Sequence, residues 1–140
     1  MKTAAILQPM LGMMVLTGVV WFVMYARRIP AMQKVRKPAQ VYTTPDKVVE
    51  LLPEEVNNPA NNLKNLFELP VLFYALCLYL YVTGTAGPAD IVAAWVFFAF
   101  RVIHSAIQCT VNIVMARFVS YCLGALALWF MLARAVAAAL

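Results

Sequence analysis

The sequence predicts an all-α integral membrane protein, a bundle of four transmembrane helices. Three observations carry this. Of 140 residues, 64% are hydrophobic and 12% charged, about half the charged share of an ordinary soluble domain. The apolar residues gather into four stretches, each near the roughly 20 residues needed to cross a bilayer. Lys and Arg concentrate in one connection: Arg27, Arg28, Lys34, Arg36, Lys37 and Lys47 fall between the first two spans, and none falls in the Gly84–Pro88 turn. That asymmetry is the mark of membrane topology.

The first span covers residues 4–25. Lys2 followed by an apolar run resembles a signal peptide, but no small-x-small site precedes Arg27. The run also exceeds the usual apolar region of about 7–15 residues, so it reads as a retained helix. A polar connection, 26–58, contains Pro30, Pro38, Pro45 and Pro53, which argue against one continuous helix. Asn58-Pro59 reads as an N-cap with proline at the first helical position, opening a second helix over 59–83 that Pro70 kinks. Gly84–Pro88 is a tight turn; Pro88 suits the first turn of a third helix, 88–112, and Asp90 complements its positive end. The fourth helix covers 115–138. The positive-inside rule puts the 26–58 connection in the cytoplasm and both termini on the opposite side.

A formal charge of +5 invites comparison with nucleic-acid binders. Here the basic residues flank hydrophobic spans, which points to anionic lipid headgroups and not to nucleic acid. Cys77, Cys109 and Cys122 have neither CxxC nor zinc-ligand spacing and read as small buried hydrophobes; no metal site is expected.

The informative residues are the polar ones inside the spans, since an ionisable group at membrane depth costs at least ~2.5 kcal/mol unless it faces a polar interior. At about 100° per residue, Asn61, Asn65 and Glu68 fall within an arc of about 60° on the second helix, with Lys64 beside them. Arg101, His104, Gln108 and Asn112 fall within about 80° on the third by the same arithmetic. Arg117 opens the fourth helix, and Arg27 and Arg28 end the first. The topology brings all of these to the cytoplasmic half, as a polar pocket. Lys64 and Glu68 are spaced for an i,i+4 ion pair, and Arg101, midway along its helix, needs a carboxylate or helix-end carbonyls as partner.

These residues also carry a family resemblance. Asn65-Leu66-Phe67-Glu68, followed by Pro70 and an apolar run, is similar to the second-helix signature of the MAPEG family, the membrane-associated proteins in eicosanoid and glutathione metabolism. Arg101-Val102-Ile103-His104, with Arg117 thirteen residues beyond the histidine and Tyr121 four further on, resembles the prostaglandin synthase branch. Ala26-Arg27-Arg28 resembles the leukotriene synthase branch. The likeness spans nearly the whole chain and is that of a divergent, bacterial-type member, in an inner membrane if the source is prokaryotic.

The resemblance implies a homotrimer of four-helix subunits, with glutathione held between neighbours near the cytoplasmic side. It implies that Asn65 and Glu68 hold the glutathione backbone and amine, that Arg27 or Arg28 holds a carboxylate, and that Arg117 stabilises the thiolate. A guanidinium beside a thiol favours its charged form. Asn61, Lys64, His104, Gln108 and Tyr121 complete the implied binding set, and Arg101 is a structural polar residue. Three positions depart from the pattern: Asn61 stands where well-studied members have arginine, Lys64 keeps only a charge at a neighbouring basic position, and Gln108 replaces a tyrosine. The implied activity is a glutathione-dependent transferase or peroxidase acting on a lipophilic electrophile or lipid hydroperoxide. The alternatives are a non-catalytic scaffold, accessory subunit or lipid-binding protein, which the Asn and Gln replacements favour, and a small transporter, disfavoured because the polar residues gather on one side.

Overall fold

The computed structural model describes residues 3–140; Lys2, which fronts the first span in the signal-peptide comparison, lies outside them. The chain is all-helical, with no strand among the described residues. Four helical stretches are long and apolar enough to cross a membrane: Ala4–Val35, Glu54–Val82, Pro88–Cys109 and Val114–Ala139. The protein is a multi-pass membrane protein.

A 3-10 turn, Thr3–Ile6, leads into α1, Leu7–Val35. This helix runs ten residues past the expected end at Tyr25. Polar residues end the hydrophobic span without ending the helix, and Pro30 sits within it. The stop comes where the backbone breaks: Arg36 takes the left-handed conformation (φ 53°), and Pro38 follows two residues on. The connection is also more ordered than its prolines suggest. After a second 3-10 turn, Ala39–Tyr42, comes α2, Pro45–Leu51. Thr44 caps it, its Oγ1 accepting from the Lys47 N–H at 3.4 Å, with proline at the first position and Asp46 in the first turn.

The second span begins earlier than expected and is broken in two. Helix α3 covers Glu54–Leu66, opened by Pro53 and the acidic pair Glu54 and Glu55, so Asn58 and Pro59 lie inside it and not at its start. Helix α4 covers Leu69–Val82. Pro70, at the second position of α4, does more than kink. Its ring would collide with the Leu66 carbonyl of a continuous helix, so α3 ends at Leu66 and Phe67 and Glu68 leave helical geometry, Glu68 at φ −97° and ψ −107°. Helix α5, Pro88–Cys109, follows a turn in which Gly84 adopts φ +71°. It stops three residues short of the expected Asn112, which itself takes φ 48° in the turn. Helix α6 covers Val114–Ala139.

Helix α5 packs most extensively on α6, and α1 packs on α3, α4 and α5. The interior has two chemistries along its length. Toward the Gly84 turn it is apolar: Ile6, Met10, Phe73, Cys77, Leu80, Phe97, Leu128 and Met131 are buried, with the Phe73 and Phe97 rings stacked at 4.4 Å. Gly124 lets α6 approach α5, since a Cβ there would lie 3.4 Å from Phe100 Cβ. At the opposite end the buried residues are Asn57, Asn58, Asn62, Arg101, His104, Ser105, Gln108 and Ser120. Large apolar side chains such as Phe22, Val82, Phe118 and Leu126 cover the outside, as expected where lipid, not water, is the solvent.

Candidate functional site

The polar end is built by facing α3 against α5 and closing it with α6. Asparagines at 58, 62 and 65 recur every three or four residues, so one face of α3 presents amides toward α5. Ser105 Oγ donates to Asn62 Oδ1 at 3.3 Å, and Asn62 Nδ2 donates to Cys109 Sγ at 3.5 Å. Asn65 Nδ2 donates to Gln108 Oε1 at 3.4 Å. Asn112 Nδ2 donates to Asn58 Oδ1 and to Glu54 Oε1, both at 3.2 Å. In an apolar solvent each bond offsets the cost of leaving an amide without a partner.

Arg101 is the least ordinary member. Its side chain is 1% exposed, yet no carboxylate lies within ion-pair distance. Its Nη2 donates to the Asn65 carbonyl at 3.0 Å, and its guanidinium sits 5.5 Å from the Tyr121 ring centre. Its Nε and Nη1 are buried with no protein partner. His104 stands beside it, 5.8 Å from the same tyrosine ring. His104 Nδ1 is 3.0 Å from the Arg117 carbonyl. A carbonyl only accepts, so Nδ1 carries a proton and donates it there, which leaves Nε2 as the ring's other hydrogen-bonding edge. That nitrogen too is buried without a protein partner. Arg117 is half-buried, its Nη1 donating to Asn112 Oδ1 at 2.5 Å.

Of the two partners the sequence leaves open for Arg101, the structure has the helix-end carbonyl, at Asn65, while the expected Lys64–Glu68 pair does not form. Lys64 and Glu68 are both exposed and make no ion pair; the helix breaks between them, which removes the i,i+4 register. Glu68, turned out to the exposed surface by that break, makes no ion pair with Arg101, whose Nη2 donates to the Asn65 carbonyl at the end of α3. Arg27 and Arg28 point to different places. Arg28 lines a cavity of about 430 Å³ with Asn61 and Lys64, under Pro45 and Val49 of α2. Arg27 instead reaches two helix carbonyls, Cys109 at 2.6 Å and Glu55 at 3.5 Å. The Glu55 carbonyl lacks its helical donor because the residue four on is Pro59, and Cys109 ends α5. Arg27 therefore staples α1 to two orphaned backbone groups.

The site thus divides. Asn65, Arg101, His104, Gln108, Arg117 and Tyr121 meet across α3, α5 and α6, whereas Arg28, Asn61 and Lys64 share a separate edge under α2. Asn58, Asn62 and Ser105 belong to the first group without having been expected there, and Asn112, expected on the stripe of the third helix, joins it from the turn. The asparagine spacing on α3 was a legible signal. The role of Asn112 was not, since it depends on a turn where the sequence reads as helix.

The only ion pair among the described residues lies at the other end, Arg134 Nε to Asp90 Oδ1 at 2.8 Å, with Asp90 Oδ2 also accepting from the Gly87 N–H at 2.9 Å. No curated protein and no solved structure matches the chain. The model of the MAPEG family matches residues 6–137. That range takes in all four transmembrane stretches and every member of both polar groups, and the chain belongs to the MAPEG family.

Proposed function

We propose that this protein is a membrane-embedded, glutathione-dependent transferase or peroxidase acting on a lipophilic electrophile or lipid hydroperoxide. Membership of the family supports a glutathione-related membrane function at that coarse level. The observation that carries the finer reading is the buried Arg101 guanidinium, with two of its nitrogens, Nε and Nη1, unmatched by any protein acceptor. A buried unmatched donor costs about 1–3 kcal/mol, more when charged. Such groups are retained where a ligand supplies the acceptors, and a small peptide with two carboxylates is such a ligand. His104 Nε2 beside it, also without a protein partner, offers the ligand a further hydrogen-bonding position.

In this reading Asn65 and Glu68 hold the peptide backbone and amine, Arg28 with Lys64 and Asn61 holds a carboxylate, and Tyr121 walls the site. The Arg28 edge and the Arg101 group are separate within one subunit, so a neighbouring copy in a homotrimer brings one against the other. Arg117 stabilises the cosubstrate thiolate. Bound glutathione supplies that thiolate as nucleophile, forming a bond to carbon of an electrophile with loss of a leaving group, or attacking the O–O bond of a hydroperoxide to form a sulfenic acid and release the alcohol, a second glutathione then giving the disulfide and water. The apolar exterior gives lipophilic substrates lateral access from the bilayer, and the basic connection faces the cytoplasm.

The test is equilibrium glutathione binding to detergent-purified protein, with thiolate absorbance and turnover of a chlorodinitrobenzene and a lipid hydroperoxide measured on the same sample. Binding with thiolate formation and turnover supports the reading; no binding at millimolar glutathione ends it. The Asn65–Gln108 bond, which ties up two implied ligand groups, favours a scaffold that keeps the fold without the chemistry. Glutathione binding with neither thiolate nor turnover would establish that alternative.

A further inference from the structure

The turn between α5 and α6 holds Asn112 in a conformation that few side chains accept, and what that residue touches assigns it a role. Its φ is 48°, in the left-handed region where asparagine is among the few tolerated non-glycine residues. Its N–H bonds the Ile107 carbonyl at 2.7 Å, fixing the backbone against the end of α5. The side chain then makes three contacts with opposite ends of one amide. Oδ1 accepts from Arg117 Nη1 at 2.5 Å, and Nδ2 donates to Glu54 Oε1 and Asn58 Oδ1 at 3.2 Å each. This network admits only one orientation. A flipped amide would set donor against guanidinium and oxygen against carboxylate.

We infer that Asn112 is the positioning residue for Arg117, holding one edge of the guanidinium so that its remaining N–H groups face the cosubstrate sulfur. This inference rests on the reading that Arg117 meets the thiol. An amide suits the task because it is neutral. It orients the guanidinium without cancelling its charge, and it interposes itself between Arg117 and the Glu54 carboxylate of α3, which would otherwise compete with the thiolate for the same cation. A direct Arg117–Glu54 pair would leave an arginine already neutralised. The other ionisable groups at this end are His104 of α5, bonded to the Arg117 carbonyl, Tyr121 of α6, one turn along, and Arg101 of α5, whose guanidinium lies against the Tyr121 ring. None contacts the Arg117 guanidinium through a hydrogen bond.

Two variants separate positioning from simple folding. Asn112→Gly keeps the left-handed backbone without strain and removes the amide. Asn112→Asp keeps the shape and the tolerated φ but places a charge against Arg117. Wild type, both variants and Arg117→Ala are purified in detergent, and bound glutathione is titrated with pH by thiolate absorbance beside turnover and affinity. The expected result for Asn112→Gly is affinity within about threefold of wild type and turnover reduced up to ~100-fold, the scale of misplacing a catalytic group by about an ångström. Asn112→Asp is expected to move the thiol titration to higher pH, because its carboxylate neutralises the cation that favours the thiolate; a purely structural asparagine would not move it. Thiolate signal and titration midpoint at wild-type values in both variants, while Arg117→Ala abolishes them, overturns the assignment of Asn112. A wild-type signal that survives Arg117→Ala overturns instead the thiolate role of Arg117 on which the inference stands. If Asn112→Gly does not fold, the pH titration of Asn112→Asp decides alone.

Discussion

Arg101→Met gives the sharpest separation of fold from site, because the structure lets both sides of its energetics be worked. The substitution removes one charge-assisted hydrogen bond, Nη2 to the Asn65 carbonyl at 3.0 Å, about 1.5–3 kcal/mol. It removes a cation–π contact with Tyr121 at 5.5 Å, about 0.5–2 kcal/mol. Against these stands the cost of burying a cation at 1% exposure with no carboxylate partner, several kcal/mol even after relaxation. Methionine fills similar volume and adapts to irregular space. The two sides nearly cancel, so the apo protein is expected to shift by less than ~2 kcal/mol in either direction.

Ligand linkage behaves differently. Glutathione at 100 times its dissociation constant stabilises wild type by about 2.7 kcal/mol. A hundredfold loss of affinity in the variant leaves about 0.4 kcal/mol at the same concentration, by the same relation. Thermal unfolding in detergent, with and without glutathione, measures both. A fall of more than ~3 kcal/mol in the apo form would show that Arg101 is a pillar of the fold, and a ligand shift as large as wild type would show that it is outside the site. Either result refutes the reasoning.

Other expectations follow from the opposite end and from the packing. Arg134→Ala strands the buried Asp90 carboxylate and is expected to lower the melting temperature, while adding Asp90→Asn in the same chain restores part of the loss; an unchanged single variant would show the pair to be idle. Gly124→Leu puts a side chain where a bare Cβ already sits 3.4 Å from Phe100 and is expected to cost about 1–3 kcal/mol in thermal unfolding. Single cysteines introduced at Lys37 and Thr85 in a background without native cysteines are expected to react with impermeant thiol reagents from opposite faces of the membrane, the first from the cytoplasm. Labelling of both from one face contradicts the orientation.

The four spans were legible because hydropathy and length alone decide what a bilayer accepts. Their ends were not. Tyr25 ends the apolar run of α1, but helix hydrogen bonding does not depend on apolarity, so the helix continues to Val35 until Arg36 turns left-handed. Asn58-Pro59 has the grammar of a helix start, yet Pro53 with Glu54 and Glu55 has it too, five residues earlier, and the first start wins once Arg27 relieves the carbonyl that Pro59 orphans. Helical angle for Asn65, Arg101, His104 and Gln108, and topology for Arg117, place these residues at one end, where the structure has them. Helical angle failed for Lys64 and Glu68, because angular arithmetic assumes a continuous helix and theirs is broken. Pairwise partners such as Asp90 with Arg134, forty-four residues apart, leave no local signal at all.

That break ties the fold to the site. Interrupting a helix frees backbone carbonyls, and inside a membrane they must find donors in the protein or at a polar cavity. Pro70 forces the interruption, and the last turn of α3 then projects its negative end into the bundle. The Asn65 carbonyl there takes the Glu68 N–H at 3.3 Å and the Arg101 guanidinium at 3.0 Å. One cation thus serves as cap for the broken helix through Nη2 while its Nε and Nη1 stay directed elsewhere. The same break turns Glu68 out of the α3 register and exposes it. The proline, the arginine and the glutamate are therefore one arrangement. Restoring the helix would bring Glu68 back within one turn of Lys64 and remove the carbonyl that anchors Arg101.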